Sequence, residues 1–85
     1  MSNFEKFIKT IKYNFISYEY ITFNIDSWNL VAILTNENFL YVINQMDNTL
    51  KTIDLENEDN VNLYDENFWE MAREGILKSR VQFNN

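Results

Sequence analysis

Apolar side chains recur at Phe4, Phe7, Ile8, Ile11 and Phe15, three or four residues apart, while Lys6, Lys9 and Lys12 fall on the other side. That spacing predicts an amphipathic helix. Ser2 and Glu5 supply an S-x-x-E capping box at its start, and the helix is expected to fade near Ser17. From Tyr18 the period changes to two. Ile21, Phe23 and Ile25 alternate with Tyr20, Thr22 and Asn24, a strand rich in residues that suit a pleated surface. Asp26-Ser27 is a turn signal, Trp28–Thr35 a second strand, and Asn36–Asn38 a turn into a third, Phe39–Met46. Asp47-Asn48 tolerates the positive φ that a tight connection requires, and Thr49–Leu55 completes a fourth strand. Connections this short imply an antiparallel meander.

An acidic stretch follows Leu55. Asp65 is placed to cap a second helix that carries Phe68, Met71 and Ala72 inward, and Gly75, the single glycine, sits where a left-handed residue would end it. Beyond it Leu77, Ser79, Val81 and Phe83 alternate with Lys78, Arg80 and Gln82, which reads as a short final strand. A helix continuing to Arg80 competes with that reading. The expected fold is α+β: an N-terminal helix, a four-stranded antiparallel meander, a C-terminal helix and an optional short final strand. Residues 1–85 form one small domain, with no internal repeat and no Pro/Gly/Ser linker.

Composition narrows the chemistry. Seven Phe, five Tyr and two Trp in 85 residues allow a compact core without disulfides and argue against global disorder. With no Cys and no His, thiolate and imidazole metal sites and the usual neutral-pH general base are excluded. The longest apolar runs, Leu30–Leu34 and Phe39–Ile43, are too short to span a membrane. The N-terminus has no signal-peptide core, so a cytoplasmic protein is expected. Fourteen Asn and nine Ile with no Pro match a bias common in AT-rich bacterial and phage genomes.

The net charge of −6 is unevenly placed. Residues 1–12 and 73–85 each carry a net +2, while residues 13–50 carry −4 and residues 51–72 carry −6. Within the most acidic stretch stand Asp54, Glu56, Glu58, Asp59, Asp65, Glu66 and Glu70, interspersed with asparagines. A calcium loop is the first reading to test. Aligning Asp54, Glu56 and Glu58 with EF-hand ligand positions puts Asp59 where the invariant Gly belongs and Asp65 where the bidentate Glu belongs, so no metal is expected. Paired carboxylates for acid–base catalysis need a cleft that separates their pKa values, which a domain this small rarely supplies. No Ser-His or Cys-His arrangement and no phosphate-binding Gly loop is present; neither catalysis nor a cofactor is expected. Stacking of bases on Tyr18, Tyr20, Phe39 and Tyr41 would need a positive field around the rings, so direct nucleic-acid binding is not expected either, and these rings are assigned to core and hairpin pairs.

The remaining readings of the acids are solubility and imitation. Duplex DNA carries about one negative charge per 1.7 Å of axis, and the proteins that bind it present basic grooves. A small folded protein whose carboxylates take phosphate positions can occupy such a groove. The candidate partner-binding residues are Asp54, Glu56, Glu58, Asp59, Asp65, Glu66 and Glu70. Trp69 is added as an aromatic anchor, with core as its alternative, while Phe68 is assigned to the core.

The order helix, β-meander, acidic segment and final helix, with the local run Asp65-Glu66, Phe68, Met71 and Leu77-Lys78-Ser79, resembles the small Cas9-blocking, DNA-mimicking anti-CRISPR proteins of phages. The local echo covers about fifteen residues, and Arg73, Lys78 and Arg80 depart from a cleanly acidic tail. The resemblance implies a non-enzymatic, phage-encoded inhibitor acting in the host cytoplasm. Its partner would be a CRISPR-Cas effector or another defence nuclease, with Asp65, Glu66 and Glu70 among the acids that engage it. The alternative is an interaction module of another kind: an immunity protein, an antitoxin or a homodimeric adaptor. Such a module would pair through a free edge at the final strand or at Trp28–Thr35.

Overall fold

A computed structural model describes residues 1–14 and 18–83. In chain order the elements are α1 (Asn3–Asn14), β1 (Tyr20–Ile25), a 3-10 turn (Asp26–Trp28), β2 (Leu30–Thr35), β3 (Phe39–Asn44), β4 (Leu50–Asp54), the short α2 (Glu58–Val61) and α3 (Glu66–Phe83). The strands form one antiparallel sheet in the order β1-β2-β3-β4, the expected meander. Helix α1 starts where the capping box places it, with the Glu5 N–H donating to Ser2 Oγ at 3.1 Å. Phe15 and the expected end of the helix near Ser17 lie outside the described residues.

Each hairpin connection contains one asparagine in the left-handed region: Asn29 (φ 55°), Asn38 (φ 67°) and Asn48 (φ 59°). Asparagine enters this region at lower cost than other side-chain-bearing residues. In a chain with one glycine it therefore takes over the turn role. The connections run longer than expected at two places: Trp28 and Asn29 belong to the first turn rather than to β2, and β3 ends at Asn44 rather than Met46. In the last connection the Asp47 carboxylate accepts from both the Thr49 hydroxyl (2.7 Å) and the Thr49 N–H (3.0 Å). These bonds, the hydroxyl first, hold the Asp47 carboxyl below its ordinary pKa.

The inward positions pair across the sheet as Ile21–Leu34–Leu40–Ile53 and Phe23–Ala32–Val42–Lys51, with Ile25 and Leu30 in the next row. All but Lys51 and the half-buried Leu30 are buried, and they share one core with Phe7 and Ile11 of α1 and with Phe68, Trp69, Ala72 and Ile76 of α3. Asp65 caps α3 as expected, accepting the Phe68 N–H at 2.9 Å.

One expectation fails here and one alternative is decided: Gly75 does not end a helix but lies inside α3, and residues 77–83 continue that helix, the competing reading, instead of forming the possible final strand. The glycine is there for close approach. A Cβ on it would overlap the Asn24 carbonyl oxygen and stand 2.9 Å from Phe23 Cδ2, because α3 crosses β1 at this point. Without a final strand the sheet edges are β1 and β4, and the Trp28–Thr35 segment supplies an interior strand. Neither free edge expected of an edge-pairing module exists. Among the described residues no helix is long and apolar enough to cross a membrane.

Candidate partner-binding surface

The acids occupy several distinct settings. Asp54 ends β4, half-buried, its carboxylate accepting the Glu56 N–H at 3.0 Å. Glu56 is exposed and accepts from the Asn38 side-chain amide at 3.3 Å. Glu58 and Asp59 open α2, whose N-cap Asn57 accepts from the backbone N–H groups of Asp59 and Asn60. Asp65 is committed to capping α3. Glu66 ties the two long helices together: its carboxylate accepts the Asn3 N–H at 2.7 Å and its carbonyl the Asn3 side-chain amide at 3.1 Å. Glu70 follows one turn later on α3, exposed.

Folding draws a subset of them together. Glu56, Glu58 and Glu66 line one cleft of about 470 Å³, with Phe4, Leu55 and Val61 among its apolar walls. A fourth carboxylate lining it belongs to Glu5. That residue stands fifty or more positions away in sequence, inside a segment whose net charge is positive, so linear charge gave no signal for it. Its backbone N–H is held by the Ser2 cap, and the neighbouring Asn3 ties this end of α1 to Glu66 of α3. Asp54, Asp59, Asp65 and Glu70 do not line the cleft, and among the described residues neither does any Lys or Arg. Four carboxylates with no cation among them make a locally negative concavity whose field reaches roughly a Debye length, about 8 Å, at physiological salt. Among the described residues no three acidic side chains group closely enough to hold a metal ion.

Trp69 also lines this cleft, but as a core side chain, its alternative assignment, and not as a projecting anchor. It is 1% exposed and sits in an aromatic cluster, its ring centroid 4.8 Å from Phe4, 5.0 Å from Phe68 and 5.3 Å from Phe7. The reason is helical phase: Phe68, Trp69, Ala72 and Ile76 share the stripe of α3 that faces α1 and the sheet. The tryptophan left at the surface is Trp28, 42% exposed and in edge contact with Phe68 at 5.9 Å. The local echo in the tail also has structural reasons: Asp65 is a cap, Phe68 is core, and the Ser79 hydroxyl donates to the Ile76 carbonyl at 2.9 Å.

Three of the four rings considered for stacking are not in the core. Tyr20, Phe39 and Tyr41 point to the outer face of the sheet, opposite the helices, and only Tyr18 packs against the core. Comparison with protein-family models, with curated proteins and with solved structures returns no match for this chain.

Proposed function

We propose that the protein is a non-enzymatic inhibitor that binds a host nucleic-acid-binding defence protein, such as a CRISPR-Cas effector, through its acidic surface. In this reading the protein is phage-encoded, works in the host cytoplasm and needs no cofactor. The observation that carries it is the convergence of Glu5, Glu56, Glu58 and Glu66 on one cation-free cleft from three separate parts of the chain. Asp59, next to Glu58 on α2, and Glu70, one turn after Glu66 on α3, add exposed carboxylates outside the cleft. A basic groove built for phosphates would meet carboxylates in their place, and such contacts steer association and lose strength with salt.

The acids differ in what else they do, which decides how to test them. Asp65 and Glu66 have structural bonds, so reversing them would disturb the helix ends. Glu58, Asp59 and Glu70 are exposed, and their side chains make no hydrogen bond or ion pair among the described residues. Reversing these three to Lys moves the formal net charge from −6 to zero. The triple variant is expected to keep its circular dichroism spectrum and melting transition. Its inhibition of DNA binding by the effector should weaken by roughly a hundredfold, at about 1 kcal/mol per reversed charge. Inhibition equal to that of the wild type would rule the acidic surface out.

A further inference from the structure

The acidic surface leaves the largest open face of the molecule unused. All three helices lie to one side of the sheet or at its end, and the other side has no element over it among the described residues. The register sets out that outer face as three rows of four: Tyr20, Thr35, Phe39 and Asp54; Thr22, Ile33, Tyr41 and Thr52; Asn24, Val31, Ile43 and Leu50. Seven of these twelve are apolar or aromatic and one is charged, so the face differs sharply from a chain whose overall charge is −6. Tyr20 and Leu50 are each 60% exposed, and Val31, Ile33, Phe39, Tyr41 and Ile43 remain half-buried rather than covered. Lys51, the cation of β4, points to the inner face beside Val42.

We infer that this face packs against the same face of a second copy of the chain, forming a two-fold symmetric sheet-on-sheet dimer. Strand spacing and rise give the face about 19 Å by 20 Å. Pairing two such faces covers roughly 760 Å² in projection and, with the relief of their side chains, approaches about 1,000 Å², the small end of specific interfaces, which suits a weak, reversible dimer. A nearly neutral face offers no charge complementarity to an unlike partner, whereas it matches itself. Two aligned sheets pack face to face within about 30° of parallel. With the two-fold axis along the strands, Asp54 comes opposite the second copy's Tyr20. With the axis across the strands it comes opposite the second copy's Leu50. Neither arrangement sets two carboxylates against each other, and both leave the Glu5–Glu56–Glu58–Glu66 cleft outside the interface.

Sedimentation equilibrium of the full chain over a wide concentration range tests the inference. The wild type should associate reversibly to a dimer at micromolar to submillimolar concentration, and raising the salt should not weaken the association, because the contact is apolar. Ile33→Thr combined with Ile43→Thr keeps β-branched residues in both strands while removing apolar area, and it should shift the dimerisation constant at least about tenfold toward monomer. Should that variant fold poorly, isotope-filtered NMR of a mixed labelled and unlabelled wild-type sample replaces it, with intermolecular contacts expected from Ile33 to Tyr41 if the axis runs along the strands, or from Ile43 to Phe39 if it runs across them. A chain that stays monomeric to about millimolar concentration would overturn the inference. So would a dimer unaffected by the threonine pair, or one whose intermolecular contacts lie elsewhere. Because effector inhibition is read separately and is expected to fall with salt, either surface can fail without the other.

Discussion

Truncating Trp69 to alanine is expected to destabilise the protein by about 3–5 kcal/mol, the usual range for a large aromatic removed from a core. The ring is 1% exposed and touches Phe4, Phe7, Tyr64 and Phe68, so its loss opens a cavity at the junction of α1, α3 and the segment before α3. At roughly 0.05–0.15 kcal/mol per residue, a chain of this size has only about 4–13 kcal/mol of stability in total. The variant should therefore be marginally folded at room temperature. Urea titration followed by far-UV circular dichroism measures the effect: the midpoint should fall steeply with little change in slope. Trp28→Ala is the control. Trp28 is partly exposed and has one ring partner, Phe68, so it should cost about 1 kcal/mol, the scale of a single aromatic pair. If Trp69→Ala left stability intact, the packing of α3 on α1 described above would be wrong.

Gly75→Ala should also destabilise, although helix propensity alone predicts a gain of about 0.8–1.0 kcal/mol. The added Cβ overlaps the Asn24 carbonyl oxygen and meets Phe23 Cδ2 at 2.9 Å. Phe23 is itself buried in the core, and Asn24 lies in β1 paired with Val31. Neither neighbour can yield without moving α3 or disturbing the ladder, so overpacking is expected to dominate and the net loss should be about 1–3 kcal/mol. Glu74→Ala, one position earlier and exposed, should change stability by no more than about 0.5 kcal/mol. Thermal melts of the two variants side by side give the comparison. A stabilised Gly75→Ala would mean that α3 does not approach β1 this closely.

How much of this was readable from the sequence depends on which signal each element carries. The start of α1 and the cap of α3 were legible because a cap is a local hydrogen bond between residues three apart. The meander was legible because four alternating runs separated by Asn- and Asp-rich turns leave few other topologies. The C-terminus misled because two periods overlap there. Residues 77, 79, 81 and 83 alternate as a strand would, while Phe68, Trp69, Ala72, Ile76 and Ser79 keep a helical stripe, and the stripe determines the fold since it is what packs on α1. A glycine in that position marks either a helix end or a close crossing, and nothing local distinguishes them. The short α2 has too few residues to show any periodicity.

The candidate site was legible only in part, for a related reason. A run of acids announces itself in one dimension, but which of them converge is a matter of tertiary placement. Glu5 joined from the far end of the chain, whereas Asp65, though exposed, is committed to capping a helix. The outer face of the sheet was harder still. Strands β2 and β3 are apolar on both sides, so alternation assigns their residues to faces without saying which face the helices cover. Phe39 and Tyr41, assigned to core and hairpin pairs, stand on the open side, where Tyr41 pairs across the strands with Ile33 and Thr52.

The central claim is that the acidic surface occupies a site meant for nucleic acid. The most direct measurement is capture of purified, guide-loaded CRISPR effectors by the immobilised protein at low and at high salt, each with and without the effector's own target duplex as competitor. The account predicts capture of an effector that is lost at high salt and displaced by its duplex. Capture indifferent to both salt and duplex would contradict it, and capture of no effector in the panel would exclude these CRISPR effectors as its target.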